Sequence, residues 1–130
     1  MRRWNGWGET TINSTLPESA IGYLHELVGE SEPQATASLA DVVAAVPESR
    51  LPEHPLINRE PEVRAKYARG QSWPDWLAMR YGRIDAFPDG VAFPQTDSEV
   101  RMLLQFAQNR ELKVIPYGGG TSVVGHVNPV

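Results

Sequence analysis

Apolar residues along this chain come in short clusters, and proline or glycine ends nearly every one. The first cluster lies in TLPESAIGYLHELVG. Ala20, Ile21, Leu24, Leu27 and Val28 recur at helical spacing, so the pattern predicts an amphipathic helix over residues 16–28. Thr15 and Glu18 have capping-box spacing, and Gly29 is a natural stop. A second short helix is predicted from Ser38 to Val46, ended by Pro47. From Pro47 to Pro61 the prolines are too frequent for regular structure. That stretch reads as an extended linker or wrapped loop and is the best internal boundary, dividing residues 1–60 from residues 61–130. Arg64 to Gly70 fits helix and loop alike. SWPDWLAMRYG predicts a helix starting at Ser72, with Pro74 in the first turn and Gly82 closing it.

The C-terminal third has the sharpest pattern. Pro88-Asp89-Gly90 is a turn sequence, and Val91 to Pro94 follows as a short apolar strand. Thr96 and Glu99 form a capping box. Val100, Leu103, Leu104 and Ala107 then give the i, i+3, i+4, i+7 stripe of an amphipathic helix. Lys113 to Pro116 reads as a second, buried strand. Two strands joined by a helix should pair in parallel with a right-handed crossover. The expected fold class is therefore α+β with an α/β-like core: an N-terminal helical arm, then a parallel β-α-β unit.

Composition narrows the function classes. A chain of 130 residues is enough for one small domain with its own core. The net charge of −4 speaks against nucleic acid as a partner. With no cysteine there is no disulfide, thiolate nucleophile or cysteine-ligated metal. MRRWNGWGET carries no apolar run of the kind a signal peptide needs, and nothing approaches a membrane span. The expected location is the cytoplasm.

The stretch IPYGGGTSVVG carries the candidate chemistry. A phosphate-binding P-loop would need lysine and then a hydroxyl after the last glycine, where this chain has His126 and Val127. A dinucleotide fingerprint would need a third glycine where Val123 stands, and a helix that Val123, Val124 and Gly125 disfavour. Two readings stay open. Consecutive glycines let backbone N–H groups converge as a nest for an anion, with Thr121 and Ser122 adding hydroxyls. Alternatively the segment is a tight turn with two surface hydroxyls.

The longer stretch PDGVAFPQTDSEVRMLLQFAQNRELKVIPYGGGTSVVG resembles the start of the FAD-binding (PCMH-type) domain of the vanillyl-alcohol-oxidase-type flavoproteins. In that family a strand ending P-D-x-V-x-x-P precedes a helix, and a second strand leads to a glycine loop that wraps the FAD pyrophosphate. Arg3-Trp4-Asn5-Gly6-Trp7-Gly8 and Pro116 to Val123 are similar to the alkyldihydroxyacetonephosphate synthase (alkylglycerone-phosphate synthase) branch. YARGQSWPDWLAMRYG is similar to that branch's segment before the first strand. The resemblance implies FAD as cofactor, held by Pro116, Tyr117, Gly118, Gly119, Gly120, Thr121, Ser122 and Val123, with Pro94 lining the same site. It implies a fatty alcohol replacing the acyl group of acyl-dihydroxyacetone phosphate, without net oxidation, in ether-lipid synthesis. A FAD-linked oxidase or dehydrogenase of 2-hydroxy acids is the alternative within the family. Such flavoproteins run to several hundred residues. The chain is therefore expected to be an N-terminal piece, with the rest of the flavoenzyme, including its cap domain, as partner and a homodimer in the complete protein. A noncatalytic fragment that needs a partner chain is the rival class, and it predicts exposed apolar surface.

The remaining residues offer no catalytic set. His126 reads as a loop or surface histidine. His25 and His54 lack partners at metal-ligand spacing, so no metal is expected. Trp73, Trp76 and Met79 read as packing, and Trp4 and Trp7 as an arm clamped to the body. Arg80 and Arg83 read as solvated surface residues, and the carboxylates show no acid/base pair.

Overall fold

The computed structural model describes residues 3–6, 8–12, 14–30, 32 and 34–130. Trp7, expected in the arm, lies outside the described residues. Among the described residues, five helices and two short strands follow in the order α1 (Glu18–Val28), α2 (Leu39–Ala44), β1 (Ile57–Asn58), α3 (Pro61–Lys66), α4 (Trp73–Arg80), β2 (Val91–Ala92) and α5 (Asp97–Asn109).

Local chemistry accounts for three of the five helix starts among the described residues. Ser38, Thr96 and Ser72 each accept a hydrogen bond from the backbone N–H three residues on, and the carboxylates of Asp41, Glu99 and Asp75 accept in turn from the cap N–H. These reciprocal bonds satisfy amide groups that a helix start leaves unpaired. The capping box expected at Thr15 and Glu18 does not form. Pro17 is the N-cap and makes no side-chain cap bond, so the helix begins two residues later than that box requires. Gly29 ends α1 with φ 79°, its N–H bonded to the carbonyl of His25.

The two strands pair antiparallel, Ile57 opposite Ala92 and Asn58 opposite Val91. The sequence places β2 correctly, but its partner comes from the proline-rich stretch read as irregular. Residues 113–116 join no ladder, and Val114 and Ile115 are exposed, contrary to the buried second strand expected there. A strand exists through its pairing, and here β2 bonds to β1.

Contacts cross the sequence division at residue 60. The Arg50 guanidinium grips the Asp89 carboxylate with Nε 3.0 Å from each oxygen and Nη2 2.6 Å from Oδ2. Ser49 Oγ donates to the carbonyl of Asp89 at 2.6 Å. The Pro88-Asp89-Gly90 turn is thus held by the segment after α2. A Cβ on Gly90 would overlap Ile57 Cγ2 and meet Leu51 Cδ1 at 3.2 Å, so only glycine lets the turn sit this close.

The hydrogen bonds from Arg50 hold the Asp89 carboxyl below the usual carboxylate range. Its folded pKa lies below its unfolded value, so the contribution is complete above the unfolded value of about 4 and is lost as pH falls through the folded one. Asp89→Asn is expected to unfold at lower urea than the parent at pH 7. The gap should close as pH drops below about 4. A gap that does not change with pH would contradict this assignment.

The buried apolar set is small: Val42, Ala65, Ala68, Met79, Ala107 and Val127. Helices α2 and α3 pack on each other. The apolar stripe of α1 is present as predicted but uncovered, with Leu27 62% and Val28 78% exposed. On α5, Ala107 is buried whereas Val100 and Leu104 stay open.

Candidate functional site

The glycine loop is held at both ends and open in the middle. Tyr117, half-buried, fixes the entry. Its hydroxyl donates to the carbonyl of Arg69 at 3.2 Å, and its ring meets the edge of Tyr67 with centroids 5.0 Å apart. Tyr67 in turn meets Phe93 at 5.3 Å. The strand that leads to Pro94 is therefore joined to the loop through three rings. Pro94 itself is exposed.

Gly118 and Gly119 form the open part. A Cβ on Gly118 would meet nothing within 4 Å, and one on Gly119 only Thr121 Cγ2 at 3.8 Å. Gly120 differs. It is buried, its φ is +67°, and a Cβ there would overlap the Tyr117 ring and hydroxyl. Thus two glycines leave the main chain reachable, and the third lets it turn beneath Tyr117.

Beyond Gly120 the chain returns along residues 70–75. The carbonyl of Ser122 accepts from the Gln71 N–H at 3.4 Å. A Cβ on Gly70 would meet the Ser122 carbonyl oxygen at 3.0 Å and Val127 Cγ2 at 3.1 Å, so Gly70 admits this close seat. Ser122 is buried, with its hydroxyl 3.2 Å from His126 Nδ1. That directs it to a side chain of its own loop, whereas Thr121 is exposed. Val123 is 80% exposed. Asn128 closes the return: its Oδ1 accepts from the Gly70 N–H at 2.9 Å, and its Nδ2 donates to Asp75 Oδ1 at 2.7 Å.

A cleft of about 460 Å³ lies beside the loop, with Arg69, Asp75, Arg83, Val124 and Asn128 among its walls. Arg69 pairs with Asp85, while its buried Nε has no hydrogen-bond partner. Arg83 lies over the Tyr81 ring, 5.7 Å from its centroid. A separate cleft of about 860 Å³ is walled by both signs of charge, including Glu48, Glu60, Arg59 and Arg64. Among the described residues no group of three or more His, Cys, Asp or Glu is placed to hold a metal ion.

FAD, the cofactor implied by the sequence resemblance, brings a diphosphate that must lie close to main-chain N–H groups. At Gly118 and Gly119 the chain is exposed and a Cβ would meet at most Thr121 Cγ2, at 3.8 Å, so there is room for such a group to approach the backbone. The sequence identified the loop but missed what shapes it. The partners of Tyr67, Arg69, Gly70 and Asn128 lie roughly fifty residues away, beyond the reach of a local pattern.

No protein-family model matches the chain. Alkyldihydroxyacetonephosphate synthase of Trypanosoma brucei brucei is 27% identical over 161 residues, taking in 98% of this chain and 26% of that protein. The synthase of the same name from Caenorhabditis elegans is 26% identical over 149 residues, 93% of this chain and 25% of the relative. The mitochondrial D-lactate dehydrogenase [cytochrome] of Arabidopsis thaliana is 41% identical over 39 residues, 30% of this chain and 7% of its own length. A solved structure of alkyldihydroxyacetonephosphate synthase superposes with a TM-score of 0.74 at 24% identity, covering 99% of this chain and 30% of that one. The chain therefore shares the fold of part of that enzyme and is similar to it in sequence along nearly all its own length. It spans about a quarter of the length of the Trypanosoma brucei brucei and Caenorhabditis elegans synthases.

Proposed function

We propose that this chain forms the part of a flavoenzyme resembling alkyldihydroxyacetonephosphate synthase that holds the FAD diphosphate. The observation that carries the proposal is the pair of open glycines, Gly118 and Gly119, on a loop whose two ends are fixed. In this role their N–H groups face the diphosphate. Pro116, Tyr117 and Gly120 set the path of the loop, and Thr121 offers an exposed hydroxyl. Ser122 and Val123 carry the chain onward, and Pro94 borders the same region. Bound FAD would supply the chemistry for exchanging an acyl group for a fatty alcohol on acyl-dihydroxyacetone phosphate.

In the complete enzyme, residues 113–116 serve as a strand of the parallel unit, given its pairing neighbour. Residues 1–60 act as the helical extension and residues 61–130 as the start of the cofactor domain. The substrate pocket and a homodimer contact belong to the rest of that enzyme, which we place in the cytoplasm. No helix among the described residues is long and apolar enough to cross a membrane.

A second reading has its own support. The local match to D-lactate dehydrogenase favours a FAD-linked oxidase or dehydrogenase of 2-hydroxy acids. Assaying the complete protein for alkyl exchange and for 2-hydroxy acid oxidation separates the two. The exposed Val100, Leu104, Val114 and Ile115 also accord with a noncatalytic fragment that needs a partner chain.

The direct test is titration of the 130-residue chain with FAD, followed by flavin fluorescence. Saturable binding is expected, weakened roughly tenfold or more by Gly119→Asp, which sets a side chain and a negative charge against the diphosphate. Unchanged affinity in that variant, or no binding by a chain that circular dichroism shows to be folded, would overturn the proposal.

A further inference from the structure

The path of the loop after Gly120 depends on a side chain outside the glycine motif. Asp75, 3% exposed, receives the Ser72 N–H at 3.2 Å and the Ser72 hydroxyl at 2.5 Å on Oδ2. Its other oxygen, Oδ1, receives Asn128 Nδ2 at 2.7 Å. Asn128 Oδ1 meanwhile takes the Gly70 N–H, and the Asn128 N–H donates to the carbonyl of Gly125 at 3.0 Å. The amide is used in both senses at once. It must accept from a backbone donor on one side and donate to a carboxylate on the other. A carboxylate in its place cannot donate to Asp75, and an apolar group can make neither bond.

Two neighbours depend on this bolt. Val127 is buried against Gly70, and the Ser122 carbonyl sits on the Gln71 N–H. Together they seat the returning half of the loop on the start of α4. Tyr117 on one side and this return on the other flank Gly118 and Gly119.

We propose that Asn128 is a positioning residue for the anion-binding loop. It ties the return of the loop to the α4 cap, so that the open glycines are already in place before a ligand arrives. It acts through Gly70 and Asp75 and does not touch the ligand. The proposal rests on the functional reading above, but the brace itself is measurable without a ligand.

The experiment is a reciprocal swap in the 130-residue chain. Asn128→Asp sets two carboxylates against each other. Combining it with Asp75→Asn restores every bond in mirror form. The new amide at 75 takes the Ser72 donors on its oxygen and donates to the carboxylate at 128, which still accepts from Gly70. Hydrogen exchange of the Gly70, Gln71 and Asn128 amides, each bonded across the brace or within the return, is read without ligand, and FAD affinity is read by fluorescence. Asn128→Asp should lose protection at least tenfold and lose FAD affinity by a similar factor. The swap should bring both back to within about threefold of the parent.

If the parent does not bind FAD but the amides follow this pattern, the functional reading falls and the brace stands. If the swap fails to restore protection in a folded chain, the brace is overturned whatever FAD does. A purely structural role would lower the melting temperature of Asn128→Asp and leave the affinity of the folded fraction unchanged, and that result would also overturn it.

Discussion

Alanine at position 120 is expected to destabilise the chain by about 2–4 kcal/mol, a fall in Tm of roughly 10 °C. Two costs add. Gly120 has φ +67°, where an L-residue with a Cβ is strained by about 1–2 kcal/mol. The new methyl would also occupy the space of the Tyr117 ring and hydroxyl. Tyr117 must then move, giving up its bond to the Arg69 carbonyl and its edge contact with Tyr67. Such a hydrogen bond contributes about 0.5–1.5 kcal/mol, and the ring pair a similar amount.

Gly118→Ala is the control, since its Cβ enters open space at a backbone angle that side chains accept. It should change stability by less than about 0.5 kcal/mol. Thermal unfolding of both variants decides the matter. Equal losses would mean that the loop has no seat under Tyr117. Adding Tyr117→Leu to Gly120→Ala should cost less than the two separate losses combined, because the single variants break the same contacts.

The contrast between Gly118 and Gly120 also marks how far the sequence could be read. GGGTS announces a backbone that must be approached or turned, but not which glycine does which. That division depends on Tyr117, whose ring folds back over position 120. Helix starts were legible because a cap is a matter of three residues: Thr96 with Glu99, and the beginnings at Ser38 and Ser72, stand where the pattern put them. At Thr15 the same rule misled, because Pro17 set the boundary later.

Long-range features were not legible. β1 is two residues long and sits among prolines, so it has no alternation to detect. Its pairing with β2 was invisible, and the parallel partner expected at residues 113–116 took its place in the sequence reading. Apolar spacing identified the faces of α1 and α5, but spacing does not say what covers them. In this chain Leu27, Val28 and Leu104 remain open.

Arg64→Met is the other substitution with a large expected effect, about 2–4 kcal/mol in urea unfolding. Arg64 is 1% exposed, and its Nε donates to the carbonyl of Pro88 at 2.6 Å while Nη1 donates to that of Pro47 at 2.7 Å. One guanidinium thus ties the end of the segment after α2 to the turn that opens β2. Methionine keeps most of the stem packing but strands two carbonyls, each costing about 1–3 kcal/mol when left unpaired. Part of that cost is offset, because a buried charge with one unpartnered nitrogen, Nη2, disappears as well. Arg64→Lys should recover less than half of the loss, since a single ammonium does not present the planar fork that spans both carbonyls. The location of the damage is the sharper test. Hydrogen exchange should rise together at residues 47–51 and 88–92, which share Arg64 and the Arg50–Asp89 pair. The amides of Gly70, Gln71 and Asn128 should change far less, because Tyr117 and Asn128 hold that loop by separate bonds. Loosening of all three regions at once would mean that the strand clamp and the loop brace form one cooperative unit. A loss below about 0.5 kcal/mol would mean that Arg64 is not the clamp.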